Sequence, residues 1–192
     1  IHVARVVRQA KEAISLGLTP ANLGVDMARV TAYVQGVISR VAEAEQVYIE
    51  GVTVKFGKIF FKSPTELVLN GEGIICRNTL IATGSRPAIP KVEGLQEVGF
   101  FTNEDAFNLM ELPLSLIIVG GGPVGVELGQ AFERLGSKVT IIQGPDRILP
   151  KEDPEVSVTV AKVLESEGIT IVTNARFIGA SRNGDKKVVT AK

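Results

Sequence analysis

Three glycines, Gly120, Gly122 and Gly125, stand at the spacing G-x-G-x-x-G in the run Val119-Gly-Gly-Gly-Pro-Val-Gly-Val126. That spacing suits the non-covalent holding of a pyrophosphate. Gly120 serves the tight turn out of a strand, Gly122 lets phosphates approach the backbone, and Gly125 lets the following helix pack close to the strand. Gly121, Pro123 and Val124 complete the candidate cradle, with free N–H groups and the positive end of a helix dipole facing the anion. Pro123 suits a first helical turn because its φ is already helical, although it withdraws one N–H. A glycine turn that binds nothing has the same spacing, so the neighbouring elements carry the weight. Other chemistry-bearing residues are sparse. The sequence holds one cysteine, Cys76, which cannot form an internal disulfide or a metal site unaided and reads as a small buried residue of a strand over residues 73–76. The only histidine, His2, has no carboxylate or nucleophile close in sequence and is assigned no catalytic role.

The elements that must position the glycines appear where the spacing requires them. Residues 116–119 form an apolar run too short for a helix and too continuous for a half-exposed strand, which predicts the buried first strand of a parallel sheet. After the glycines, Val124, Leu128, Ala131, Phe132 and Leu135 recur at helical spacing up to Gly136, and a β-branched run over 139–142 predicts the second strand. Asp153-Pro154 reads as an N-cap with proline at the first helical position; that helix runs to Glu167, stops at Gly168 and feeds a third strand over 169–172. Asn183-Gly184 turns a final hairpin back toward Val188 and Val189. The charge run Lys151-Glu-Asp153 reads as a solvated loop.

The first ninety residues read differently. Val3, Val6, Val7, Ala10, Ala13 and Ile14 mark a helix up to Gly17, residues 18–24 a connection, and Val30, Val34, Val37, Ile38, Val41 and Ala44 one face of a longer helix from about Met27 that ends at Gly51. Short strands follow, at about 52–61, 66–69, 73–76 and 79–82. So small a meander does not cover two apolar helix faces, so further sheet is expected outside this sequence, in keeping with a first residue, Ile1, that is not a start methionine. Residues 79–82 predict a buried strand running into Thr83-Gly84 and then a Pro-rich extended crossing. Thr102-x-x-Asp105 predicts an N-cap and a short helix to about Met110, so this region reads as a joint between domains.

Composition excludes several classes. Lys plus Arg and Asp plus Glu are balanced at 21 each, so no sequence-wide field favours nucleic acid or an anionic membrane. No apolar run approaches the ~20 residues of a membrane span and no signal peptide is recognisable, which with the single cysteine leads to an expected cytoplasmic location.

The string Ile81-Ala-Thr-Gly-Ser-Arg-Pro-Ala-Ile-Pro90, the run from Ile117 through the glycines to Ile142, and Pro150-Lys-Glu-Asp-Pro-Glu155 together resemble the flavin-dependent pyridine nucleotide-disulfide oxidoreductases, particularly their mercuric-reductase-like and dihydrolipoamide-dehydrogenase-like members. The resemblance covers nearly the whole chain. It implies an α/β architecture in which a three-layer Rossmann-type NAD(P)-binding domain, a parallel sheet plus a β-meander, is attached to part of an FAD-binding domain. Residues 1–90 would be the partial FAD-binding domain, 91–112 a linker, and 113–192 the NAD(P)-binding domain, incomplete at its C-terminus. By the same resemblance Thr83, Gly84 and Ser85 would lie against the flavin nucleotide, Gly57 would offer a main-chain contact to its adenine, and Phe177 would border the nicotinamide nucleotide. The implied cofactors are FAD and NAD, with NADP possible, and the intact enzyme would be a homodimer. The family's own FAD fingerprint, its Cys-x4-Cys disulfide and its His-Glu acid-base pair fall outside this sequence. These residues alone therefore supply neither the attacking thiolate nor its activating base, and no catalytic residue is assigned. The second functional class is a non-catalytic nucleotide-binding module. An ordinary dehydrogenase without flavin is disfavoured, since nothing outside the glycine motif supplies an acid-base residue.

Two further positions carry open alternatives. Glu127, placed in the first turn of the glycine-motif helix, is either a carboxylate stabilised by the helix dipole or, on the family resemblance, a residue near the nicotinamide that orients its carboxamide. Gln143 ends the second strand, 23 residues after Gly120, where an acidic residue would accept from the ribose hydroxyls of NAD. As an amide it does not repel a 2′-phosphate, and Arg147 follows either to meet such a phosphate or as a solvated loop residue. Gly125, where NADPH-using relatives often have alanine, tips the expectation to NADH.

Overall fold

The computed structural model describes residues 1–16, 24–45 and 51–192. It divides into two compact units, one of residues 1–37 with 87–192 and one of residues 38–86. Residues 17–23, with most of the connection expected over 18–24, and residues 46–50, through which the second helix is expected to reach Gly51, lie outside the described residues.

In the larger unit, β4 (Ser115–Val119), α4 (Pro123–Leu135), β5 (Lys138–Ile142), α5 (Pro154–Ser166) and β6 (Thr170–Val172) follow the order the sequence predicts. The three strands pair in parallel in the order β4-β5-β6, with Ile118 opposite Ile141 and Ile141 opposite Ile171. Right-handed crossovers that advance in one direction put both helices on the same face of the sheet. That face holds the core: Val139 and Ile141 of β5 are fully buried together with Phe132, Leu135, Leu164 and Ile169. The opposite face leaves Ile117 40%, Val119 48% and Val172 40% exposed, so β4 alternates rather than being buried on both sides as its apolar run predicts. Among the described residues β4 pairs on one edge only, and hydrophobicity alone does not say which faces a strand will have covered.

Of the apolar face predicted for α4, Phe132 and Leu135 are buried and Leu128 and Ala131 pack against the core, and only Val124 departs. Val126, Gly129, Phe132 and Leu135 are the buried positions, while Val124 is 52% exposed. At Gly129 a Cβ would stand 3.2 Å from both Ile118 Cδ1 and Ile141 Cδ1. Outside α4 lies α1 (His2–Glu12), continued by a 3-10 turn (Ala13–Leu16). Arg8 of α1 and Arg134 and Gln130 of α4 converge on Glu167 just past α5. Arg134 binds that carboxylate through both Nε and a terminal nitrogen at 2.7 and 2.8 Å, and Gln130 Nε2 adds a donor at 2.9 Å. With a side chain only 10% exposed, Glu167 is held below the usual carboxylate range by the Arg134 hydrogen bonds first, and further by the Arg134 and Arg8 charges.

α2 (Met27–Glu45) joins the larger unit through Thr31, whose hydroxyl donates to the Leu109 carbonyl, and Gln35, which donates to the Phe107 carbonyl at 3.0 Å. A short helix, α3 (Leu95–Val98), stands in what the sequence predicts as a linker. The helix predicted over 102–110 is reduced to a 3-10 turn (Asp105–Asn108). Its capping residue works in reverse order: the Thr102 N–H and hydroxyl both donate to the Asp105 carboxylate, at 2.8 and 2.9 Å, and hold it below its ordinary range. Asp153 precedes α5 as predicted but makes no side-chain cap hydrogen bond; proline supplies the start. β7 (Phe177–Asn183) and β8 (Lys186–Ala191) form the predicted hairpin about Gly184.

The smaller unit is an antiparallel meander of β1 (Ile59–Ser63), β2 (Glu66–Leu69) and β3 (Glu72–Ile75), with Leu67 and Leu69 buried. β1 begins later than predicted. Cys76 falls one residue past β3 and is half-buried rather than fully buried, its Sγ 3.0 Å from Thr79 Oγ1. Residues 79–82 are no buried strand here: Leu80 is 90% and Ile81 67% exposed, and no strand among the described residues pairs with them. A parallel strand exists only against a partner edge, which local sequence does not provide.

Candidate nucleotide-binding site

The glycine turn joins β4 to α4, and each glycine has a distinct geometric cause. Gly120 has φ +112°, a conformation that L side chains rarely adopt, and its N–H donates to the Ile142 carbonyl at 2.8 Å. Gly125 packs so tightly beneath the turn that a Cβ would stand 2.1 Å from the Gly120 carbonyl oxygen. Gly122, with φ −76°, is different: any residue could adopt that backbone, and a Cβ there would meet nothing within 4 Å. A glycine with no internal reason to be glycine, next to open space, fits a group that approaches from outside. Pro123 opens the helix, and the Val126 N–H makes the first bond back to the Gly122 carbonyl. The N–H groups of Gly122, Val124 and Gly125 therefore have no intrahelical acceptor and face the helix N-terminus.

The turn is held by the segment after β5. Gly121 donates its N–H to Gln143 Oε1 at 2.7 Å and accepts at its carbonyl from the Leu149 N–H at 2.7 Å. Ile148, 1% exposed, packs where a Gly121 Cβ would stand, 2.8 Å from its Cγ2. Leu149 holds a positive φ of +49°, and Ser157 Oγ of α5 donates to its carbonyl at 3.2 Å. Sequence reading passed over Ile148 and Leu149; the signal was an apolar pair in an otherwise polar loop, too short to carry a period.

Gln143 lies one residue past β5, close to its predicted place, but the residue is only 6% exposed and its side-chain oxygen is already engaged by the turn. Arg147 lies in the same loop, donating to the Pro150 carbonyl at 3.2 Å, with Asp146 3.6 Å away and its buried Nε without a partner. Glu127 lies beyond the first helical turn, because α4 starts at Pro123, so the dipole has little hold on it. It is exposed instead on the side of α4 that meets α1, in a cavity of about 230 Å³ lined by Ile1, Ala4, Gln130, Ala131 and Arg134. Phe177 borders a separate cleft of about 360 Å³ with Lys91, Glu93, Arg176 and Lys192. The structure thus brings Gly120 to Gly125 and Gln143 together and sets Glu127 and Phe177 in cavities of their own.

The remaining candidates belong to the smaller unit. Gly57 sits in a loop closed by Asn70, which donates to the Phe56 carbonyl at 3.1 Å and accepts from the Lys58 N–H at 3.2 Å. Thr83, Gly84 and Ser85 are exposed, with Gly84 at φ +71°.

A parallel β-α-β-α-β sheet with a glycine turn at the C-terminal end of its first strand defines a Rossmann-type α/β protein. Residues 3–192 match the family described as pyridine nucleotide-disulphide oxidoreductase, and the chain belongs to that family. It is 35% identical over 179 residues to the dihydrolipoyl dehydrogenase of Acholeplasma laidlawii, covering 90% of this chain and 53% of that protein. It is 32% identical over 171 residues to the mercuric reductase of Staphylococcus aureus, covering 88% and 31%. Among solved structures, the copper(II) complex of the HOCl-induced flavoprotein disulfide reductase RclA from Escherichia coli superposes with a TM-score of 0.74 at 25% identity, covering 97% of this chain and 41% of that one. The chain thus spans about half, or less, of the length of the relatives it matches. No helix among the described residues is long and apolar enough to cross a membrane.

Proposed function

We propose that the turn from Gly120 to Gly125 binds the pyrophosphate of NAD(P)H, and that the chain is the NAD(P)H- and FAD-binding portion of a flavoprotein disulfide oxidoreductase. In that enzyme the nicotinamide and the flavin, when bound, supply the transfer of reducing equivalents toward a disulfide or related acceptor. The residues of this chain bind and orient. Gly122, Val124 and Gly125 offer N–H donors to the phosphates, and Gly121 is held in place by Gln143 and Leu149; on the family resemblance Glu127 and Phe177 would border the nicotinamide half. On this reading residues 1–90 contribute half of the FAD-binding domain through Gly57 and Thr83 to Ser85, residues 91–112 link, and residues 113–192 bind the nicotinamide nucleotide. The intact enzyme would be a cytoplasmic homodimer.

The observation that carries the reading is the empty space at Gly122, since every other glycine of the turn is explained by the fold itself. Titrating the chain with NADH and NADPH, followed by reduced-nicotinamide fluorescence, tests it directly. Saturable binding that Gly122→Val abolishes without lowering the melting temperature is the expected result. Binding unaffected by that substitution would remove the turn from the function. The single cysteine, Cys76, favours as second reading a nucleotide-binding module without redox chemistry of its own. A bound flavin spectrum bleached by NADH separates the two: bleaching supports the enzyme, and nucleotide binding without flavin supports the module.

A further inference from the structure

The carboxamide of Gln143 is the one side chain that reaches the glycine turn from the end of β5, and its two ends have different surroundings. The Gly121 N–H can only donate, so the atom 2.7 Å from it must be the amide oxygen, and this fixes the orientation of the group. The nitrogen then points away from Gly121 with two N–H donors and no protein acceptor among the described residues. At the C-terminal end of the second strand of such a sheet, this is the position that meets the adenosine ribose. A carboxylate there selects against a 2′-phosphate by repulsion. A neutral donor repels nothing and can serve a hydroxyl or a phosphate oxygen alike. The loop that follows does not tip the balance, because the Arg147 charge lies 3.6 Å from Asp146 and its terminal nitrogen is turned to the Pro150 carbonyl.

We infer that Gln143 makes this site indifferent to the ribose 2′-phosphate, so that NADH and NADPH bind with similar affinity, and that the same side chain positions the turn through Gly121. The inference rests on the proposed binding of NAD(P)H at the turn. It assigns Gln143 two separable tasks. Its oxygen holds the Gly121 N–H, a duty that a carboxylate could also perform, while its neutrality leaves the phosphorylated cofactor admissible, which a carboxylate could not.

The experiment compares dissociation constants of NADH and NADPH for the chain, its Gln143→Glu and its Gln143→Met variants, each first shown by circular dichroism to be folded. The unaltered chain should bind the two nucleotides within about fivefold of each other, since no charge discriminates them. Gln143→Glu keeps an acceptor for Gly121 and should weaken NADPH relative to NADH by about tenfold or more. Gln143→Met removes the acceptor without adding charge and should weaken both nucleotides by a similar factor, leaving the ratio unchanged. A preference above about thirtyfold in the unaltered chain, or a ratio that Gln143→Glu does not move, overturns the inference while leaving nucleotide binding at the turn intact. Should the buried carboxylate unfold the chain, the ratio in the unaltered chain and the Gln143→Met result decide. Failure of the folded, unaltered chain to bind either nucleotide takes down the proposed function and this inference together.

Discussion

Gly122 and Gly125 stand three positions apart and are glycine for opposite reasons, which makes them the sharpest pair for mutagenesis. A methyl group at Gly125 would overlap the Gly120 carbonyl oxygen at 2.1 Å, so Gly125→Ala must shift the turn against α4. The expected cost is on the order of 2 kcal/mol in thermal or urea unfolding, with nucleotide affinity falling alongside. Gly122→Val should instead leave unfolding unchanged within about 0.5 kcal/mol, as for a substitution into open space, while removing nucleotide binding. If both variants lost stability equally, the distinction between a packing glycine and a ligand glycine would be wrong. The spacing of the three glycines was legible from sequence because it is local. The engagement of Gly121 by Gln143 and Leu149 was not, since it joins residues 22 and 28 positions apart that only the β4-β5 register brings together.

At the scale of elements, Glu167 fastens α1 and α4 to the end of α5. Its pKa is lowered in the folded chain, so the stability it contributes is complete above the ordinary carboxylate range and is lost as pH falls through the lowered value, where the group finally protonates in the native state as well. Glu167→Gln should lower unfolding stability near neutral pH by about 2 kcal/mol, because it leaves Arg134, itself 16% exposed, without its charge partner. The same variant should flatten the acid limb of a stability-versus-pH curve measured between neutrality and strongly acidic pH. An acid limb identical to that of the unaltered chain would assign the acid sensitivity to other carboxylates. Sequence periodicity found α1, α4 and α5 but not this junction, which assembles from three helices with no common motif. It found four of the five apolar positions of α4 that face the core but passed over Gly129, which adds nothing to a hydrophobic pattern and yet packs directly on Ile118 and Ile141.

At the scale of the whole molecule, the two compact units differ in how much of their apolar surface is covered. β5 is the central strand of its sheet and carries the fully buried Val139 and Ile141, so its amides should exchange with solvent more slowly than those of any other strand. Residues 78–90 have no regular pairing and expose Leu80 and Ile81. Brief trypsin treatment should therefore cut first after the exposed Arg77, before any cut within residues 113–172, while the Arg86-Pro87 bond resists the protease. Peptide mass spectrometry of the earliest fragments checks this, and an initial cut inside β4 to β6 would contradict the order of stabilities.

What the sequence determined by itself was whatever depends on neighbours along the chain: the strand-turn-helix-strand order around the glycines, the proline that starts each of α4 and α5, the glycines that end them, and the Asn183-Gly184 hairpin. Each is a local conformational preference or a short hydrophobic period, and each reappears within a few residues of its predicted place. Tertiary structure alone decided which face of β4 is covered, that Leu80 and Ile81 stand exposed, and that Gln143 turns its oxygen to Gly121. Those outcomes depend on pairing and packing between residues far apart in the chain, where local preference is silent and burial and unsatisfied hydrogen-bonding groups determine the arrangement.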